Sequence, residues 1–182
     1  MREVVQKYQW EEQKKRPDHP VVFVSWYDAL AYTKWLSAVT GRQWKLPSEA
    51  EWEKAARGTE GKIYPWGDEW DARKANTAEQ GPKETTPVGM YPQGASIYGV
   101  MDMAGNVWEW TNTVYKEYPY DAEDGREDEN STNDRVLRDG SWSGDARYAR
   151  AAGRYNRRPD YSSNYRGFRL ACFALSAGSK RT

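Results

Sequence analysis

Two stretches of the chain carry a helical period. Ser25 followed three residues later by Asp28 is the pattern of a capping box, in which side chain and main chain satisfy each other at a helix start. Ala29, Tyr32, Leu36 and Val39 then recur at helical spacing and Gly41 supplies a stop, which predicts a helix between them. A second helix is predicted behind Pro47 and Ser48, with Glu51 in its first turn, Trp52, Ala55 and Ala56 on its apolar side and Gly58 at its end. Residues 1–18 read as an N-terminal extension, with a charged amphipathic pattern (Val4, Val5, Tyr8, Trp10). Between 60 and 100 no period holds. Short strands are expected at Val107–Thr111, Arg135–Leu137 and Phe168–Phe173, with Cys172 as a small core hydrophobe on the last. Helices first, then short antiparallel strands among long loops, describe an α+β fold in a single domain over residues 1–182.

Composition narrows the function. Mean hydropathy is low at −1.04, yet the chain holds 10 Trp and 13 Tyr, so aromatic side chains must supply much of the core. Net charge is zero, which gives no general attraction to nucleic acid or anionic membranes. The signs are nevertheless separated. Residues 117–134 are acidic and predict a solvated or disordered loop, while Arg dominates from Arg135 to Arg169. One cysteine excludes an internal disulfide, and one histidine, His19, excludes multi-histidine metal centres. No signal peptide and no membrane-spanning run is visible, so the expectation is a cytoplasmic chain, with surface display through a further segment or partner left open.

The phrases "LPSEAEWEKAARG", "YPWGDEW", "YGVMDMAGNVWEW" and "RVLRDGSW…GFRLA" occur in an order that resembles the formylglycine-generating-enzyme family. The resemblance runs from about His19 to Phe173 and implies a C-type-lectin-like fold, with the usual N-terminal strand shortened. The founding activity of that family uses a cysteine pair, which binds copper, shortly after a "GGS" element. Here "DGSWSGDARYARAAGR" holds no cysteine, so neither copper nor oxidase activity is expected. The family's calcium site maps onto the carboxylates of Asp102 and Glu109 and the carbonyls of Gly105 and Val107, a hard-oxygen set suited to that ion. Two readings stay open at this point: a structural calcium ion, or Glu109 paired with an arginine. Asp28, Glu49, Glu51 and Glu53 are explained by their places at the starts of capped helices.

Residues 143–166, "SGDARYARAAGRYNRRPDYSSNYR", use a narrow vocabulary. Arg147, Arg150 and Arg154 with Ala149, Ala151 and Ala152 read as a fixed frame of salt bridges over small packed residues. Between them stand Ser143, Gly144, Asp145, Tyr148, Gly153, Tyr155, Asn156, Arg158, Tyr161, Ser162, Ser163, Asn164 and Tyr165. Tyr gives large contact area at low entropic cost, and Ser, Gly and Asn adapt their hydrogen bonds, as in antibody paratopes. An AAC codon also becomes Tyr, Ser, Gly, Asp or Arg by changes at adenines alone, and unchanged it encodes Asn. The segment therefore resembles the variable region of proteins diversified by diversity-generating retroelements, many of which use this fold. That resemblance implies a non-catalytic binding module for a protein or other macromolecular ligand, with the four tyrosines as anchors and Trp142 beneath them. Two alternatives remain: a cysteine-free accessory or sensor domain, or enzyme of unknown chemistry, and a nucleic-acid binder using the interleaved Arg and Tyr.

Overall fold

A computed structural model describes residues 9–172 of the chain. Both predicted helices form with reciprocal capping boxes. Helix α1 spans Trp26–Thr40 behind Ser25 and Asp28, and ends at Gly41 in the left-handed region (φ 66°). Helix α2 spans Glu49–Arg57 behind Ser48 and Glu51. The buried face of α1 differs from the predicted stripe. Trp26, Ala29 and Thr33 face inward with Leu30 alongside, whereas Tyr32 and Val39 are exposed. The reason lies in Trp26, which the helical period alone did not weigh. Its indole N–H donates to the Thr111 carbonyl at 2.9 Å, and the Arg135 guanidinium lies 3.8 Å from its ring centre. That anchor rotates the helix. Of the N-terminal pattern, residues 9–13 are helical with Trp10 exposed, while Val4, Val5 and Tyr8 lie outside the described residues.

The main sheet has four strands: β2 (Trp108–Val114), β3 (Arg135–Arg138), β4 (Tyr155–Arg157) and β5 (Arg166–Phe168), in the spatial order β4-β3-β2-β5. β2–β3 and β3–β4 are antiparallel, and β5 runs parallel to β2 with Trp108 opposite Arg166. The expected strand at 168–173 is divided. Phe168 closes β5, and Ala171–Cys172 form β6, which pairs with β1 (Trp44–Lys45) in a separate two-stranded sheet. Cys172 is exposed there rather than buried in the core. The principal apolar cluster joins α1 to the main sheet through Trp26, Ala29, Leu46, Trp108, Trp110 and Leu137.

The acidic stretch is also better ordered than its composition suggested. Arg126 is buried, bridges to Asp124 at 2.8 Å and donates to the carbonyls of Glu117 and Pro119. Glu127 accepts from Tyr120, Asn112 and Thr113. One inserted guanidinium thus neutralises and ties a loop that would otherwise repel itself.

Helix α2 is fixed to the sheet by charge. Glu49, described above only as a first-turn acid, is 1% exposed and pairs with Arg138 (2.8 Å) and Arg154, while Glu53 meets Arg138 at 2.6 Å. Tyr118 donates to Glu49 at 3.3 Å. Removing one partner of such a group strands a buried charge, so Glu49→Ala is expected to cost about 3–5 kcal/mol in urea unfolding. A loss below about 1 kcal/mol, the range of an exposed pair, would show that the network does not hold the helix.

Candidate recognition surface and acidic pocket

The four predicted anchor tyrosines come from three separate segments and meet in one continuous chain of rings and guanidinium groups. Trp108 on β2 contacts Tyr148 edge-on at 6.1 Å and Tyr155 of β4 at 5.4 Å. Arg157 lies 4.3 Å from the Tyr155 ring centre and 6.0 Å from that of Tyr161. Arg166, the first residue of β5, lies 4.6 Å from both Tyr161 and Tyr165. Trp142 then meets Tyr165 edge-on at 6.2 Å, and its indole N–H donates to the Asn164 carbonyl. Tyr148 and Tyr161 are 47% and 44% exposed, whereas Tyr155 and Tyr165 are half-buried and pack against the main apolar cluster.

Parallel pairing of β5 with β2 and antiparallel pairing of β4 with β3 bring these segments together. The intervening turns are held from below. Ala149 and Ala151 are buried, and Arg138 donates to the carbonyls of Ala151 and Gly153. Arg154 reaches Glu49 and the Lys116 carbonyl. The frame is smaller than predicted, however. Arg147, Arg150 and Ala152 are exposed, and Arg147 pairs with its neighbour Asp145 rather than with the interior.

The other candidate positions divide by their freedom to change. Ser143, Arg158, Ser162 and Asn164 are exposed, and Asp145 is half-buried. Gly144 has room, since an added Cβ would meet only the Tyr148 side chain, at 3.4 Å or more, and the Ser141 carbonyl at 3.7 Å. Gly153 does not, because a Cβ there would come within 2.9 Å of two carbonyl oxygens. Asn156 sits in β4 and donates to Asp134 at 2.6 Å. The Ser163 hydroxyl accepts from Arg166 at 2.7 Å, and its carbonyl receives the Phe23 amide. These three serve the scaffold.

Asp102 and Glu109 border a separate pocket with Gly89, Asn106, Val107, Asp139 and Arg169. Arg169, which the sequence did not single out, donates to both Glu109 oxygens at 2.5 and 2.8 Å and to the Asp102 carbonyl at 2.5 Å. Burial opposes its charge, but Glu109 outweighs burial and raises its pKa. Trp52 also donates to Glu109, at 2.7 Å. The Asp102 carboxylate is turned to the Gly89 amide at 2.6 Å. Calcium takes about six to eight oxygens, and the guanidinium already holds the carboxylate that would contribute most. As placed, these residues do not fit the ion. Among the described residues no group of three or more His, Cys, Asp or Glu is arranged to hold a metal.

Asp139 adds to this pocket. It has φ 93° and is fully buried, with Oδ1 unpartnered. Burial, then Glu109, pushes its carboxyl well above the usual carboxylate range. A non-glycine residue held in that backbone region is strained.

A domain model described as "Sulfatase-modifying factor enzyme 1-like domain" matches residues 3–174. The chain belongs to this family. Within it, the formylglycine-generating enzyme of Streptomyces coelicolor is 42% identical over 186 residues, which cover 90% of this chain and 56% of that protein. The inactive C-alpha-formylglycine-generating enzyme 2 of Bos taurus is 37% identical, covering 87% of this chain and 52% of that one. The chain therefore spans about half the length of the curated relatives it matches. Among solved structures, Treponema denticola variable protein 1 superposes with a TM-score of 0.76 at 25% identity, over 85% of this chain and 71% of that one. The fold is the α+β, C-type-lectin-like architecture of this sulfatase-modifying family, and it is shared with a variable protein.

Because Arg169 supplies the positive charge in the acidic pocket, melting midpoints in excess EDTA and in millimolar calcium are expected to agree within about 1 °C, since an ion that does not bind the native state cannot stabilise it. A midpoint that climbs with calcium concentration would show that the ion displaces the guanidinium.

Proposed function

We propose that this chain is a non-catalytic ligand-binding protein whose segment 143–166 is a diversified recognition surface. The observation that carries the reading is the continuous Tyr148–Trp108–Tyr155–Arg157–Tyr161–Arg166–Tyr165–Trp142 path. It draws tyrosines 17 positions apart in sequence onto one surface, with two of them presented to solvent. Exposed Ser143, Ser162 and Asn164 supply adaptable polar contacts around these anchors.

Buried Ala149 and Ala151, Arg138 on two carbonyls, and Arg154 on Glu49 hold the backbone whatever stands between them. Likeness to a variable protein and to an inactive enzyme of the same family supports the reading. So does the chemistry. The thiol pair needed for cysteine oxidation is missing from 139–154, and Cys172 belongs to the small β1–β6 sheet.

Deep sequencing of the gene segment that encodes residues 143–166, with its flanks, across many individual genomes tests diversification. Substitutions are expected at Ser143, Gly144, Asp145, Tyr148, Arg158, Tyr161, Ser162, Asn164 and Tyr165, with Ala149, Ala151, Gly153 and Arg154 spared. A uniform segment, or substitutions scattered evenly over frame and presented positions, would sink the reading. The presented tyrosines are also expected to be dispensable for folding. The double substitution Tyr148→Ala and Tyr161→Ala should change unfolding free energy by less than about 1 kcal/mol, as exposed positions do. A loss several times larger would make them structural.

A further inference from the structure

The arginines of the recognition surface are not equivalent. Residues 143–166 hold six arginines and two aspartates. Arg147 is matched by Asp145 at 2.7 Å, Arg158 by Asp160 at 3.1 Å and Arg154 by Glu49. Arg150, Arg157 and Arg166 have no carboxylate within ion-pair distance among the described residues, and of these Arg157 and Arg166 are the two that run between the tyrosines. A guanidinium carries five N–H groups. Arg157 donates from one terminal nitrogen to the Asn156 carbonyl and from the other to the Tyr155 hydroxyl, and its remaining donors have no acceptor among the described residues. Arg166 is buried, donates to Ser163, and leaves Nε unpartnered.

The acidic stretch of the same chain does not supply the missing charge. Asp124 is committed to Arg126, Glu129 to Lys34 at 2.9 Å, and Glu127 to Tyr120 and Thr113.

Building on the recognition surface proposed above, we infer that it is biased toward carboxylate-bearing segments of a protein partner, with Arg157 as the accessible cation and Arg166 adding charge from beneath. Half-buried between Tyr155 and Tyr161, Arg157 is partly stripped of water, and its planar fork matches a carboxylate through two parallel bonds. The flanking rings then contact the apolar parts of the acidic segment. A nucleic-acid track would need a row of accessible uncompensated cations, but of the three exposed arginines in 143–166 two, Arg147 and Arg158, are neutralised by their own neighbours, Arg150 alone is not, and the chain has zero net charge. Arg157 is outside the presented, changeable set. The charge bias is therefore a constant of the surface, while Tyr, Ser and Asn positions set which acidic sequence is preferred.

The test uses the whole chain, immobilised and panned against a phage-displayed library of random 12-residue peptides, with Arg157→Gln and Arg157→Lys variants alongside. Circular dichroism and melting first establish that each variant is folded. The expected result is enrichment of Asp- and Glu-rich peptides, whose fluorescein-labelled versions lose about tenfold or more in affinity with Arg157→Gln and less with Arg157→Lys. Enrichment without acidic bias, or acidic peptides that bind Arg157→Gln equally well, overturns the carboxylate inference and leaves the recognition surface standing. No enrichment at all counts against both. Tighter binding of a fluorescent oligothymidylate than of any selected peptide, with a steep salt dependence, would assign the surface to phosphate and overturn the choice of a protein partner.

Discussion

Arg126, Arg135, Arg138, Arg154 and Arg169 donate their N–H groups to main-chain carbonyls of segments that lie largely outside the sheets and helices. Arg135 alone reaches Asn112, Asp128 and Ser131, and Arg138 reaches Ala151 and Gly153. In a chain with few helices and short strands among the described residues, many carbonyls would otherwise be buried without a donor, at a cost of about 1–3 kcal/mol each. A guanidinium is suited to the task because its fork can bridge two or three carbonyls at once and never loses its proton. Trp26, Tyr115 and Tyr118 lie beneath such groups at 3.8 to 4.6 Å, so the aromatic core and the arginine scaffold form one structure.

The proposed recognition surface depends on this scaffold. Arg138 and Arg154 fasten 149–154 to α2 through Glu49, and they do so mainly through backbone atoms and two small side chains. The side chains of Tyr148, Arg150 and Ala152 in the same turns are exposed. On the reading proposed above, stability and recognition would thereby rest on different atoms of the same neighbourhood, an arrangement in which contacts can change while the backbone keeps its shape. The separation is incomplete. Tyr155 and Tyr165 contact both the core cluster and the surface, and Asn156, Ser163 and Gly153 belong to the frame despite their vocabulary.

The acidic pocket illustrates the same economy. A calcium ion and a guanidinium can both neutralise a carboxylate lined up with loop carbonyls, and here Arg169, from the "GFRLA" run, occupies that role. Two aspartates adjoin it, one of them the buried Asp139 in a backbone region that favours glycine. Asp139 was visible in the sequence as the first letter of "DGS", but nothing there showed that its carboxylate would feel Glu109.

Local chemistry determined much by itself. Ser25–Asp28 and Ser48–Glu51 caps, the glycine stops, the strand at "NVWEW", the family and the Tyr, Ser, Gly and Asn vocabulary of 143–166 were all legible, because each rests on residues within a few positions of one another. Tertiary structure decided what depends on distant partners: which face of α1 is buried, once Trp26 met Thr111 and Arg135; the division of 166–172 between two sheets; and the choice of Arg169 as the partner of Glu109. It also decided that four tyrosines from three segments would lie alongside Arg157 and Arg166, which meet no carboxylate among the described residues. Pairing across β2, β3, β4 and β5 brings those side chains together, and the energy of that pairing comes from contacts far apart in the chain that no short window of sequence contains.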